Sequence, residues 1–145
     1  MKNRNDNNQQ DPKTSKTPRV SIVDDDESVR EAISSLLRSI GLEAKVFASA
    51  EQFLNSDYQH NADCLILDVR MPGMTGLQLQ EKLASAKCNL PIIFITAHVS
   101  DREAKARALR SGAVDFLIKP FKEDDLLNDV YIALYSREQR IPEFY

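Results

Sequence analysis

The stretch CLILDVRMPGMTGLQL, residues 64–79, decides the fold. It opens on an uninterrupted apolar run, Cys64 to Leu67, that ends abruptly in a carboxylate, Asp68. A run without polar alternation is the pattern of a strand buried on both faces of a parallel sheet. Pro72 and Gly73 then break the chain, and Thr75 is placed to open a helix carrying Leu77, Leu79 and Leu83 on its apolar side. Strand, terminal acid, tight loop and helix make up one β-α unit.

The same alternation extends outward in both directions. Further strands are expected at Val20 to Asp24, Ala44 to Phe47, Ile92 to Thr96 and Val114 to Ile118, each short and mostly apolar throughout. Val29, Ile33, Leu36, Leu37 and Ile40 keep helical spacing, with Arg30, Glu31, Ser34 and Arg38 turned outward and Gly41 as the stop. Ser49 is placed to cap a helix through Glu51, Gln52, Phe53 and Leu54, with Gln52 at the capping-box offset. Asp101 opens a helix to Ser111 whose apolar face is mostly Ala104, Ala108 and Leu109, so this helix should pack lightly and move most easily. Leu127, Val130, Tyr131 and Leu134 give the last helix its buried stripe. Five strands alternating with five helices imply right-handed crossovers and a three-layer α/β domain.

A length of 145 residues suits one core, and 42% hydrophobic with 28% charged residues is ordinary for such a protein. The formal net charge of −3 gives no reason to expect nucleic acid or an anionic membrane as a partner by charge alone. No apolar run approaches the roughly 20 residues that span a bilayer, and the N-terminus lacks the apolar stretch of a secretory signal. A cytoplasmic protein is the expectation. Cys64 and Cys88 have no ligand-like spacing and read as reduced thiols. Residues 1–18 have Met1 as their only large apolar residue and are dominated by Asn, Gln, Lys, Asp and Thr, the composition of a disordered tail. The folded domain is expected over residues 19–138, with a short tail over 139–145.

In open parallel sheets, sites form at the carboxyl ends of the strands. Here those ends offer Asp24 and Asp25, then Asp68, Thr96 and Lys119. Singly, each has an ordinary structural reading. Asp24 to Glu27 suit a helix N-terminus, Asp68 suits a turn, Thr96 a cap and Lys119 a solvated surface. Three carboxylates, a hydroxyl and an ammonium on one rim make a different case. Crowded carboxylates raise one another's pKa unless a cation joins them, and an all-oxygen set with open coordination suits Mg²⁺. Asp68 then serves as a nucleophile toward phosphorus and becomes an acyl phosphate, with Thr96 and Lys119 sharing the charge of the phosphoryl oxygens.

The runs SIVDDDESVREAI, CLILDVRMPGMTGLQL, PIIFITAH and GAVDFLIKPF resemble the receiver domains of bacterial response regulators over about residues 19–138. They look closest to the nitrogen-fixation regulator subfamily, whose output is a LuxR-type DNA-binding domain. The resemblance implies a flavodoxin-like doubly wound five-stranded parallel sheet of order 2-1-3-4-5 with five helices, the order that is a standard example for receivers. It implies a Mg²⁺ site of Asp24, Asp25, Asp68 and the backbone carbonyl of Arg70, with Asp68 as phosphoacceptor, Thr96 as switch hydroxyl and Lys119 as phosphoryl-binding lysine. Phe116 takes the aromatic switch position, turning inward as Thr96 moves toward the phosphoryl group. Lys119–Pro120 matches a peptide usually held cis, and Arg70 and His98 match positions that set the phosphoryl lifetime.

The function so implied is a two-component phosphorylation switch rather than an enzyme, fed by a sensor histidine kinase or a phosphotransfer protein. Kinase choice would rest on residues such as Ser28, Arg30, Glu31 and Ser35. Phosphorylation is expected to repack the face of the fourth helix, fifth strand and fifth helix and to promote a homodimer or a partner contact. An alternative is a Mg²⁺-dependent aspartyl-phosphate phosphatase of the haloacid dehalogenase type. That family carries DxDxT, whereas Asp68 is followed here by Val69 and Arg70. For the output, a stand-alone receiver and a fragment of a DNA-binding regulator both stay open, with residues 137–145 slightly favouring the former.

Overall fold

The structure, a computed structural model, describes residues 17–98 and 100–139, with side chains described through residue 135. Five strands form one sheet: β1 (Arg19–Val23), β2 (Glu43–Phe47), β3 (Cys64–Asp68), β4 (Ile92–Thr96) and β5 (Asp115–Ile118). All pairs are parallel and the order is β2-β1-β3-β4-β5, the doubly wound order expected. The helices are α1 (Glu27–Ser39), α2 (Ala50–Leu54), α3 (Tyr58–Asn61), α4 (Gly76–Ser85), α5 (Arg102–Arg110) and α6 (Glu123–Gln139).

Successive strand side chains point to opposite faces, and this sorts the apolar residues into two cores. Val23, Leu65, Leu67, Ile92, Phe94 and Phe116 face α2, α4 and Ala108 of α5. Val20, Ile22, Cys64, Ile66, Ile93 and Ile95 face Ile33 and Leu37 of α1 and Leu126, Val130 and Ala133 of α6. The central strands β3 and β4 are buried at every residue. At about 1.5–3 kcal/mol per large apolar side chain removed from water, they are the chief source of cohesion.

The edges depart from the expectation of strands buried on both faces. In β2 only Phe47 is fully buried, and in β5 only Phe116, because each has a neighbour on one side alone. Among the described residues there are six helices rather than five, since the segment after β2 breaks at Asn55–Asp57. The Ser56 hydroxyl donates to the Phe53 carbonyl and accepts from the Tyr58 N–H, which closes one helical turn and starts another. Ser34, expected outward, is buried with its hydroxyl donating to the Glu31 carbonyl. Leu109 and Tyr131, expected inward, are exposed, and Leu126 and Ala133 fill the α6 stripe instead.

Caps fall where the residue types demand. Thr75 and Gln78 form a full capping box on α4. Ser49 accepts from the Gln52 N–H, but Gln52 Oε1 reaches the Ala48 N–H, one residue before the capping position. Gly41 ends α1 at φ +89°. Among the described residues neither cysteine is in a disulfide, and no helix is long and apolar enough to cross a membrane. The expected tails lie almost wholly outside the described residues. Pro18 is within them, its carbonyl accepting from the Glu43 N–H, and α6 runs on to Gln139.

Candidate functional site at the carboxyl rim of the sheet

Strand register builds the site. Val23 of β1 is level with Leu67 of β3, so the next residues, Asp24 and Asp68, emerge side by side. Asp68 is level with Ile95 of β4, which sets Thr96 one step further along the rim, and Thr96 is level with Ile118, which sets Lys119 beyond it. The Lys119 N–H donates to the Thr96 carbonyl at 2.7 Å, and the Lys119–Pro120 peptide is cis.

The run Asp24-Asp25-Asp26 divides its labour. Asp24 is fully buried; its Oδ1 accepts from the Asp26 N–H at 2.9 Å and its Oδ2 from Lys119 Nζ at 3.0 Å. Arg30 of α1 clamps this loop, Nη1 donating to the Asp24 carbonyl at 2.8 Å. Asp25 is exposed and turned to the rim. Asp26 caps α1, accepting from the Ser28 hydroxyl and N–H, and those bonds hold its carboxyl below the ordinary value. The helix-terminus reading of the acidic run therefore belongs to Asp26.

Carboxylate oxygens of Asp24, Asp25 and Asp68 lie within 4.8 Å of one another. Asp68 is buried, and that burial, followed by the charge of Asp24, pushes its carboxyl up to about 7, with Lys119 opposing the shift and Asp25 adding to it. Such a cluster is short of positive charge. A hard divalent cation fits it, the donors being all oxygen and all on an open rim.

Close packing brings the following segment up to Asp68. The Gly76 N–H donates to the Val69 carbonyl at 2.9 Å, and a Cβ on Gly76 would stand 2.3 Å from the Asp68 carbonyl oxygen. Glu51 of α2 braces the loop between, its Oε2 accepting from the Met74 N–H.

Thr96, His98, Asp101 and Arg70 form a connected set. Thr96 Oγ1 donates to Asp101 Oδ2 at 3.0 Å and accepts from the His98 N–H at 3.1 Å. Asp101 is 8% exposed and is also paired with Arg70, whose Nε and Nη2 donate to its carboxylate; that pairing, ahead of the Thr96 bond, holds its carboxyl below the ordinary value. Although Asp101 precedes α5 as expected, its side chain makes no cap bond. Phe116 is buried against Phe94, ring centroids 6.0 Å apart, so the expected inward turn starts from a ring already inside. His98 is exposed.

Of the residues marked in the sequence, Asp24, Asp25, Asp68, Thr96 and Lys119 stand along one rim. Arg70 is turned to Asp101, and Phe116 lies beneath in the core. Asp101 and Glu51 were missed as site residues, because each bonds a segment remote in sequence, at Arg70 and Met74 respectively, whereas Arg30, named only for kinase choice, grips Asp24 six residues away.

The chain is similar to known proteins in sequence and in fold. Residues 20–131 match the response regulator receiver domain family. The chain is 53% identical over 119 residues to the response regulator protein TmoT of Ectopseudomonas mendocina, covering 82% of this chain and 54% of that protein. It is 45% identical over 121 residues to nodulation protein W of Bradyrhizobium diazoefficiens, covering 83% of this chain and 52% of that one. The chain thus spans about half the length of the curated relatives it matches. Among solved structures it superposes on the response regulator StyR with a TM-score of 0.80 at 45% identity, covering 86% of this chain and 63% of that chain. On the FixJ-N structure the TM-score is 0.74 at 35% identity, covering 83% and 95% respectively.

Proposed function

The chain belongs to the response regulator receiver family, and from that premise we propose that it is a phosphorylation-dependent switch in which Asp68 is the acceptor. The observation that carries the proposal is the single cluster of Asp24, Asp25 and Asp68 with Lys119 bonded to its buried member. One Asp68 oxygen attacks the phosphorus of a phosphohistidine on a sensor kinase or phosphotransfer protein. The P–N bond breaks as the P–O bond forms, and the electron pair leaves with the imidazole. Asp24, Asp25, Asp68 and the Arg70 carbonyl would hold Mg²⁺, which would supply charge neutralisation for the transferring group.

The chain's own residues do the rest. Asp68 must be ionised to attack, which its raised pKa opposes and the cation and Lys119 favour. Lys119 is poised beside the rim to move from Asp24 to a phosphoryl oxygen, and the Thr96 hydroxyl to donate to another. Arg70 and His98 set the lifetime of the anhydride. The stored charge is the output, so no substrate is turned over.

A groove of about 360 Å³ lined by Ser28, Val29, Ala32, Leu36, Pro120 and Phe121 lies beside the rim and suits the docking of the phosphate donor. The work is cytoplasmic and serves transcription control, as relatives named transcriptional regulators suggest. The test is intact-mass measurement after acetyl phosphate and Mg²⁺. One added phosphoryl group is expected on the wild type and none on Asp68→Asn; phosphoryl on the variant, or none on either protein, refutes the reading.

A further inference from the structure

We propose that Asp101 is a positioning residue: it latches the Thr96 hydroxyl and the Arg70 guanidinium in the resting state and must release Thr96 when Asp68 is phosphorylated. The inference rests on the receiver reading of Asp68.

A threonine hydroxyl has one proton to give. Here it is given to Asp101 Oδ2 at 3.0 Å, while the Oγ1 lone pair accepts the His98 N–H. The hydroxyl therefore donates nothing to the rim until the bond to Asp101 breaks. The Asp101 side chain is only 5% exposed and holds a second partner, Arg70, whose own side chain is 55% exposed and free to swing. Bonds from both groups to a buried carboxylate are charge-assisted and stronger than neutral ones. A phosphoryl group on Asp68 presents a competing anion to the same two donors.

Each donor that leaves strands more of a buried charge. Losing both leaves Asp101 with neither of its side-chain partners, a costly state for a carboxylate out of water. The residue sits at the start of α5, its N–H donating to the His98 carbonyl and its carbonyl accepting from the Lys105 N–H. Its side chain makes no cap bond, and among the described residues its hydrogen-bond partners are Thr96 and Arg70. Release at Thr96 is thereby coupled to movement of the first turn of α5. Of the helices around the rim this one is anchored most lightly, with Ala108 its only fully buried residue.

The experiment measures half-saturation by beryllium fluoride with Mg²⁺, read from amide NMR shifts of Thr96, Ala97 and His98, in wild type, Asp101→Asn and Asp101→Ser. Both variants remove the charge, so both are expected to saturate at about a tenth of the wild-type concentration. Before any fluoride is added, their Thr96 and His98 signals should already lie partway toward the bound positions, a displacement that mere loss of stability does not produce. Thermal midpoints report the fold separately. In the wild type, the Asp101 carboxyl ¹³C signal should move as the adduct forms, which tests the latch even if a variant fails to fold. Equal or weaker saturation in folded variants, or an unmoved wild-type signal, overturns the latch and leaves Asp68 as acceptor. A wild type that binds no fluoride overturns the receiver reading and the latch together.

Discussion

Asp129 stands on α6 with Oδ2 buried and, among the described residues, without a hydrogen-bond partner. Burial first, then the neighbouring Asp115 carboxyl and the charge of Asp125, push its pKa up to about 7 from an ordinary 3.8. Between those values the folded chain keeps a proton that the unfolded chain has lost. The Asp129 contribution to stability is therefore fullest below about 3.8, falls as pH rises, and is lost above about 7. Asp129→Asn should raise stability at pH ~8 by about 1–3 kcal/mol and change little at pH ~4. Circular dichroism melts at the two pH values check this; Asp68 shifts in the same sense but is common to both proteins and cancels. At this scale the sequence disclosed the residues that register alone lines up, from Asp24 to Lys119. It could not disclose Asp129 or Asp101, since an acid on a helix declares neither the strand it will face nor the arginine it will meet.

Among the elements, α4 is the one whose start is dictated by space. Gly76 needs no unusual backbone; it needs to lack a side chain, because a Cβ there would meet the Asp68 carbonyl at 2.3 Å and the Phe94 ring at 3.2 Å. Gly112 is the reverse case, with φ +99° and nothing within 4 Å of the missing Cβ. Gly76→Ala should cost upward of about 3 kcal/mol, since backbone must shift, and Gly112→Ala about 1 kcal/mol from conformation alone. Urea midpoints of the two variants, side by side, measure the difference. The strands were legible to within a residue because buried β-branched runs permit few alternatives. The edges were harder: β5 reads almost as apolar as β3, β2 carries Glu43 and Lys45 among its apolar residues, and sheet order shows that one side of each faces water. The break between α2 and α3 was written in Asn55, Ser56 and Asp57, three turn-forming residues in succession.

Across the whole molecule, the exposed large apolar side chains gather on α5, β5 and α6: Leu109, Ile118, Tyr131, Ile132 and Tyr135, with Val46 on β2 apart from them. A surface of this kind favours association. Adding beryllium fluoride and Mg²⁺ should shift the light-scattering mass toward that of a dimer, and Tyr135→Glu should hold the chain as a monomer. An unchanged mass in the wild type would remove the homodimer from the account. The formal charge of −3 is too small to prevent two copies from meeting at physiological salt.

The division of the apolar residues between two sides of the sheet has a consequence of its own. Thr96 and Phe116 extend the series that includes Phe94 and looks toward Ala108, whereas Ile33 and Leu37 of α1 rest on the opposite side. The sheet is a bulkhead. A visitor gripping α1 to deliver its cargo leaves the far compartment undisturbed, and rearrangement in that compartment need not dislodge the visitor. Delivery at α1 and rearrangement around Thr96, Phe116 and α5 can therefore overlap in time, separated by one layer of β-structure, while α6 shares the visitor's side.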